Sequence, residues 1–144
     1  RDTGLCGIRP KDGIYTDNHD WWLDYIHDFL AYCRDHKCPL DFFSFHCYDN
    51  PGPAVVQNQY VRDYLDANGF KDTELSLNEW IPFEAIGRTG CARQTALITA
   101  MLAVMQNGPI DDAEIYDARC GGGTYSPFFD PATRKPRKPY RYRY

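Results

Sequence analysis

The spacing of apolar residues in the 144-residue chain changes three times from that of a helix to that of a strand. The two spacings predict helices over 17–37, 54–68 and 92–106, followed in turn by strands over 40–45, 75–79 and 113–118. Strands that alternate with helices in this way form parallel sheets through right-handed crossovers. The chain is therefore predicted to have an α/β fold around a parallel sheet.

Glycines and prolines bound the predicted elements. The breaks are Pro39, residues 49–53 (Asp-Asn-Pro-Gly-Pro), Gly69 and residues 107–109 (Asn-Gly-Pro). The apolar positions predicted to pack against the sheet are Trp22, Ile26, Phe29, Leu30, Cys33, Val61, Tyr64, Leu65, Leu97, Ile98, Met101, Leu102 and Met105.

The composition predicts a folded chain with neither nucleic acid nor a membrane as a partner. Hydrophobic residues make up 43% of the chain and aromatic residues 15%, which is enough for a core. The net charge of −4 gives no basic field for nucleic acid, and the basic segment 134–144 is interpreted as a solvated end. No apolar run reaches the length that a bilayer requires.

The six cysteines predict neither a disulfide scaffold nor a metal centre. They form no Cys-x-x-Cys pair, so most are interpreted as small core residues. An alternative, a small zinc-binding α/β domain, would gather Cys33, His36 and Cys38 with the pair His46-Cys47. Structural zinc sites usually have tighter paired spacing, and neither a metal nor another cofactor is expected.

Polar residues at the ends of the predicted strands distinguish between α/β architectures. No Gly-x-Gly-x-x-Gly or phosphate-loop motif follows a strand, which disfavours a nucleotide-binding doubly wound sheet. The polar ends at 45–48, 78–80 and 115–119 are typical of a (β/α)8 barrel, whose strands converge on one mouth. A whole barrel takes about 250 residues, so three strands would form part of one. The alternative is a complete small three-layer α/β domain.

Side-chain alternation gives the first strand a polar face and an apolar face. His46 shares its face with Ser44 and Tyr48, whereas Phe43 and Phe45 take the other. This pattern predicts that the polar face lines a lumen and that the apolar face meets the helices.

Glu79 ends the second strand, but strict alternation does not give it the polar face. It has the parity of Leu75 and Leu77, while Ser76 and Asn78 would face the helices. A β-bulge near the strand end would return the carboxylate to the polar face. Without one, a strand-end glutamate is interpreted as a solvated surface group.

Three segments resemble, in order, the sixth, seventh and eighth strands of clan A glycoside hydrolases. They are residues 41–48 (Asp-Phe-Phe-Ser-Phe-His-Cys-Tyr), 77–80 (Leu-Asn-Glu-Trp) and 116–119 (Tyr-Asp-Ala-Arg), and residues 4–8 are similar to the end of a fifth strand. The nearest type is family 39, that of β-xylosidases and α-L-iduronidases. The resemblance implies a partial (β/α)8 TIM barrel, from the end of strand 5 through strand 8. Residues 1–144 would then be the C-terminal portion of the catalytic domain.

The resemblance implies a retaining glycosidase that cleaves O-glycosidic bonds of oligo- or polysaccharides, with Glu79 as its nucleophile. Donors such as Tyr48 and His46 would orient the carboxylate, and Trp80 would offer a flat apolar face to a sugar ring. The implied substrate-binding residues are His46, Tyr48, Asn78, Trp80, Tyr116, Asp117 and Arg119.

The chain has no counterpart of the family's second catalytic carboxyl group. Retaining hydrolysis needs two carboxyl groups roughly 5 to 5.5 Å apart. The family's acid/base glutamate belongs to an Asn-Glu pair on the fourth strand, and Glu74, Glu84 and Glu114 do not occupy an equivalent position. The resemblance therefore implies that a missing N-terminal part of the barrel supplies this residue and that the chain alone is inactive.

Two other interpretations stay open. The pair Asn78-Glu79 could be the acid/base strand itself, but a His-x-Tyr strand precedes it, Trp80 rather than proline follows it, and only one further strand remains. The seventh-strand assignment fits this order better. The chain could otherwise be a non-catalytic carbohydrate-binding or scaffold α/β domain, in which Tyr48, Trp80 and Tyr116 hold a sugar without cleaving it.

Overall fold

The structure is a computed structural model that describes residues 17–86, 92–116, 130 and 132–136. Its elements, in chain order, are α1 (Asp17–Asp35), β1 (Phe42–Cys47), α2 (Pro51–Ala67), β2 (Glu74–Trp80), a 3₁₀ turn (Phe83–Ala85), α3 (Ala92–Gln106) and β3 (Asp112–Ile115). The segment 4–8, predicted to end a fifth strand, lies outside the described residues.

The three strands form a parallel sheet in the order β1-β2-β3. Because this order never reverses, right-handed crossovers place α2 and α3 on the same face of the sheet. Helix α1 adjoins α2, where His27 Nε2 lies 2.8 Å from the Tyr60 hydroxyl and the His27 ring stacks on Tyr64. The predicted α/β class is confirmed, and the arrangement is consistent with part of a (β/α)8 barrel. A three-layer domain needs helices on both faces, whereas the three described helices share one core on one face.

One hydrophobic core lies between the sheet and the helices. Its buried members are Ile26, Leu30, Phe45, Cys47, Ala54, Val61, Leu65, Leu75, Leu77, Trp80, Ile98, Met101 and Met105. The central strand contributes Leu75, Leu77 and Trp80, and burial of such side chains stabilises a fold by about 1.5–3 kcal/mol each. The core therefore determines which face of β2 meets the helices.

The pairing of β1 with β2 contains a register shift next to the polar strand ends. Ser44 pairs with Ser76, and His46 pairs with Glu79. The step from Ser44 to His46 is two residues, whereas the step from Ser76 to Glu79 is three. Strand β2 thus has one residue more than β1 in this interval, which is the geometry of a β-bulge. As a result, Glu79 lies on the same face as Ser76 and beside His46, although strict alternation would separate them.

The pairing of β2 with β3 contains the same shift. Leu77 pairs with Ala113, and Trp80 pairs with Ile115, so β2 again advances by one residue more than its neighbour. Asn78 is the extra residue common to both shifts, and it is exposed. The bulge keeps Leu77 and Trp80 on the core side.

Several predicted element bounds and core positions need correction. Helix α2 begins at Pro51 rather than at residue 54, since proline has no N–H to leave unpaired in a first helical turn. Phe29 and Leu102, predicted to face the sheet, are 38% and 42% exposed, because each lies at the flank of its helix's apolar stripe. Strand β1 ends at Cys47, two residues later than predicted, while α3 has its predicted bounds of 92–106.

Within the described residues, strand β3 and helix α1 carry exposed side chains. In β3, Asp112, Ala113 and Glu114 are exposed and Ile115 is half-buried. Helix α1 carries Tyr25, Phe29 and Tyr32, exposed residues four and three positions apart that we call the α1 aromatic stripe. None of the described helices is long and apolar enough to span a membrane.

Candidate active site

The carboxyl ends of β1 and β2 bring three predicted polar side chains together. His46 and Glu79 are register partners, and Tyr48 follows β1 directly. The Tyr48 hydroxyl donates a hydrogen bond to Glu79 Oε1, and His46 Nδ1 lies 3.5 Å from the same oxygen. These residues therefore form one cluster at the edge of the sheet where (β/α)8 enzymes carry their active sites.

The two contacts to Glu79 differ in kind. The bond from Tyr48 is a hydrogen bond from a neutral phenol to a carboxylate, and it fixes one oxygen in place. His46 Nδ1 is buried and makes no hydrogen bond within the described residues, so its contact is an ion pair only when the imidazole is protonated. The side chains of His46 and Glu79 remain 30% and 27% exposed, which leaves the carboxylate within reach of a ligand.

Tyr116 extends the cluster to the third strand. Its backbone N–H donates to the Trp80 carbonyl at 2.8 Å, one residue beyond β3. Its ring meets the Tyr48 ring edge-on, with centroids 6.2 Å apart and planes at 69°. Such a contact suits two aromatic quadrupoles and holds the Tyr48 ring beside the carboxylate.

The sugar-stacking role predicted for Trp80 is wrong in this structure. Trp80 is 2% exposed and belongs to the core, because the bulge turns it toward the helices. A ring in this position has no free face for a sugar. Its indole nitrogen is buried and makes no hydrogen bond within the described residues.

Three predicted substrate-binding residues remain, and the structure describes Asn78 among them. Asn78 is the exposed residue of the bulge, so it sets the direction of Glu79 rather than joining its contacts. Asp117 and Arg119 lie outside the described residues, and their roles stay predictions.

A clamp between two loops was not predicted from the sequence. The Asn50 side chain donates to Glu84 Oε1 at 3.0 Å and accepts from the Glu84 backbone N–H at 3.2 Å. Arg93 at the start of α3 pairs with the other Glu84 oxygen. This Asn50–Glu84 clamp joins the loop that follows β1 to the turn that follows β2. Its only sequence signal was an Asn before a helix, which usually indicates an N-cap.

The polar face continues onto β3. Ser76 Oγ donates to Asp112 Oδ2 at 3.2 Å, and Ser76 and Asp112 are register partners. Alternation along β3 places the exposed Glu114 on this face as well, level with the bulge. Glu114 is the second residue of the predicted strand 113–118, but β3 spans Asp112–Ile115, so Glu114 lies near its carboxyl end.

The other carboxyl groups weighed from the sequence are placed differently. Glu74 is exposed at the amino end of β2, far along the strand from Glu79. Glu84 has both oxygens engaged, one by Asn50 and one by Arg93. Neither group is therefore positioned to act together with Glu79.

The zinc alternative does not fit the strand geometry. His46 lies on the polar face, whereas Cys47 lies in the core and donates to Gln57 Oε1 at 2.9 Å. Neighbours on a strand point to opposite faces, so this pair cannot converge on one ion. Within the described part of the chain, no three His, Cys, Asp or Glu side chains are grouped as a metal site requires.

Comparison with known proteins adds one relationship. The chain is similar in structure to the glucosidase from Croceicoccus marinus, with a TM-score of 0.57 and 30% sequence identity. The match covers 66% of this chain and 21% of that one, so the chain spans about a fifth of the glucosidase's length. No protein-family profile and no curated protein sequence matches the chain. The described unit therefore has a glycoside hydrolase-like fold.

Proposed function

We propose that the polar face of β1 and β2 belongs to the active site of a retaining glycoside hydrolase, with Glu79 as its nucleophile. The observation that carries the proposal is the convergence of Tyr48 and His46 on one oxygen of Glu79, at the carboxyl ends of parallel strands. The structural likeness to a glucosidase supports a glycoside as the substrate. Family 39 is the specific family proposed, on the order of the three strand-end segments.

The contacts of Glu79 indicate which oxygen attacks. Both described contacts go to Oε1, so Oε2 is the oxygen proposed to bond to the anomeric carbon. As that bond forms, the bond to the leaving oxygen breaks, and an acid/base carboxyl protonates the leaving group. Water then attacks the anomeric carbon of the glycosyl ester, gives its proton to the same acid/base group and releases Glu79.

The acid/base carboxyl is proposed to come from a strand outside the described unit, in the N-terminal part of a complete barrel. The exposure of Asp112, Ala113 and Glu114 supports this proposal, because a closed barrel pairs all its strands. The exposed α1 aromatic stripe supports it too, since the helices of a barrel form a ring in which each packs against the next.

The proposal of a purely sugar-binding domain loses its main support. That function depended on Tyr48, Trp80 and Tyr116 as aromatic platforms, and Trp80 is buried. The Tyr48 hydroxyl is bound to Glu79. The geometry favours chemistry at the carboxylate over stacking.

Covalent trapping tests the nucleophile. A fluorinated glucoside with a good leaving group forms its glycosyl-enzyme ester but hydrolyses it slowly. With the natural full-length protein, we expect the label on the peptide that contains Glu79 and none after Glu79→Gln. Glu74→Gln, at the other end of the same strand, is the matched control and should label normally. A label on another residue would overturn the assignment.

A second measurement locates the acid/base group. If it lies on another strand, Glu114→Gln leaves the hydrolysis of glucosides with poor leaving groups nearly unchanged. If Glu114 supplies it, that variant loses most activity toward poor leaving groups, and azide, as an external nucleophile, speeds the turnover of activated aryl glucosides. The second outcome would contradict the proposed N-terminal source while leaving Glu79 as the nucleophile.

A further inference from the structure

Helix α1 ends in a Schellman motif whose two contacting positions are both cysteines. The Cys38 backbone N–H donates to the Cys33 carbonyl at 2.8 Å, and Lys37 N–H donates to the Arg34 carbonyl at 3.2 Å. Lys37 has a φ of 53°, the left-handed conformation that this motif requires. The side chains at the ends of the longer hydrogen bond normally make an apolar contact. In this chain the two positions carry free thiols.

We propose that Cys33 and Cys38 form a reversible disulfide by exchange with low-molecular-weight disulfides of the glutathione type. The backbone hydrogen bond of the motif, 2.8 Å from the Cys38 N–H to the Cys33 carbonyl, holds the two residues next to each other, which is the arrangement that a short disulfide needs. The site is independent of the proposed glycosidase activity. It lies before the amino end of β1, whereas Glu79 lies at the carboxyl end of β2.

The two thiols have different environments, which assigns them different roles. Cys33 is buried at 6% exposure, while Cys38 is half-buried. Burial, and after it the adjacent Cys38 thiol, raises the pKa of Cys33. Since the thiolate is the reactive form and must reach its target, Cys38 is the thiol that attacks an external disulfide.

The exchange balances in two steps. The Cys38 thiolate attacks one sulfur of oxidised glutathione, which forms a mixed disulfide and releases one glutathione thiolate. The Cys33 thiolate then attacks Cys38 Sγ, which breaks the mixed disulfide and releases the second glutathione. The protein loses two protons and two electrons, and oxidised glutathione gains them as two thiols.

Mass spectrometry of the whole chain tests the bond. The protein is equilibrated in buffers of increasing ratio of oxidised to reduced glutathione, quenched in acid, alkylated and digested with trypsin. Because trypsin cuts after Arg34 and Lys37, the disulfide joins a peptide that ends at Arg34 to one that begins at Cys38. We expect this linked pair to accumulate with the ratio and to vanish after reduction. Cys47 lies in the same tryptic peptide as Cys38, so fragment ions of the linked pair identify which of the two is joined. Alkylation of both Cys33 and Cys38 at every ratio, or fragment ions that place the link at Cys47, would refute the proposal.

Single substitutions test the assigned roles. In Cys33→Ala, the resolving thiol is gone, so Cys38 should accumulate as its mixed disulfide with glutathione. In Cys38→Ala, buried Cys33 should stay reduced under the same conditions. Equal glutathionylation of the two variants would contradict the asymmetry. The linked peptide in the unchanged protein does not depend on how either variant folds.

Discussion

At the scale of single residues, the Tyr48 hydroxyl positions the carboxylate proposed to attack. A hydrogen bond to a charged group contributes about 1.5–3 kcal/mol, so Tyr48→Phe should lower kcat/KM roughly 10- to 150-fold. The loss should fall mainly on kcat, because the phenol acts on Glu79 rather than on the bound sugar. Steady-state kinetics of the full-length protein on an aryl glucoside measure it.

The control for Tyr48→Phe removes the hydroxyl group of another tyrosine, Tyr32. Tyr32 is exposed on α1 and stacks on His36 through its ring, which phenylalanine retains. Tyr32→Phe should leave kcat/KM within twofold or so, as expected of surface changes. Equal kinetics for the Tyr48→Phe and unchanged proteins would mean that the hydroxyl does not position Glu79.

Tyr60 makes stability depend on alkaline pH. Burial, followed by charge interaction with Tyr64, raises the pKa of Tyr60 above its ordinary value of 10.0. The unfolded chain therefore loses this proton at a lower pH than the folded protein does. The contribution to stability is complete below pH 10.0 and is lost as the pH rises through the folded-state pKa.

Urea unfolding at a series of alkaline pH values tests this dependence. Tyr60→Phe should flatten the fall in the free energy of unfolding above pH 10.0. It should also remove the hydrogen bond with His27, a loss of about 0.5–1.5 kcal/mol that applies at every pH while the bond is made. The test is the slope of the free energy of unfolding against pH, not the constant difference between the two proteins. An unchanged slope would contradict the prediction.

At the scale of elements, the bulge in β2 decides which residues face the site. Removing Asn78 would leave Leu77, Glu79 and Trp80 in strict alternation, with the carboxylate still on the polar face. We expect the variant that lacks Asn78 to unfold cooperatively and to keep the tryptophan emission maximum of the unchanged protein, to which Trp21, Trp22 and Trp80 all contribute. A red-shifted emission would contradict the bulge, because deletion from a regular strand moves Trp80 to the solvent side.

Insertion of a residue at the same point is the matched control for this deletion, because it should have the opposite effect on stability. One alanine added after Asn78 moves Glu79 and Trp80 to the wrong faces, since a one-residue slip inverts every later side chain. Loss of a buried aromatic side chain costs about 3–5 kcal/mol, so this variant should be far less stable than the deletion. Equal stability of the two variants would refute the register.

The elements could be predicted from the sequence more fully than the site. Helix α3 follows directly from its apolar spacing, and the polar face of β1 follows from the alternation of Ser44 and His46. The bulge could not be located, because an extra residue becomes visible only when both neighbouring strands are paired. For the same reason Trp80 was assigned to the wrong face. Contacts over 34 positions, such as Asn50 with Glu84, leave no local pattern.

The Asn50–Glu84 clamp is the element-scale contact that holds the loops after β1 and β2 together. Asn50→Ala and Glu84→Ala should each destabilise the protein by about 1–3 kcal/mol, because each leaves a partly buried polar group unpaired. A double-mutant cycle from urea unfolding should give a coupling energy of about 0.5–3 kcal/mol. The matched pair Gln59→Ala and Asp63→Ala, exposed on α2, should couple more weakly, and additive effects at the clamp would contradict it.

At the scale of the whole molecule, the described unit combines a buried core with exposed surfaces on β3 and α1. The helices and the sheet share a closed core, while the strands keep exposed residues and the α1 aromatic stripe is exposed in the described part of the chain. An open edge at β3 explains the exposed strand residues, because a closed barrel pairs all its strands. It does not explain the stripe, which lies on a helix. Further β/α units beside α1 account for both.

The α1 aromatic stripe therefore predicts how the 144-residue chain behaves by itself. Exposed apolar patches and open strand edges drive association, so the isolated chain should self-associate as its concentration rises. Replacing Tyr25 and Phe29 with lysine should shift it toward monomer in analytical ultracentrifugation. Replacing Asp24 and Asp28 with lysine, on exposed positions of the same helix, adds the same residues without removing the stripe and should not. If the unchanged chain is a monomer that unfolds cooperatively, the stripe needs no covering unit, and the proposed larger barrel loses this support.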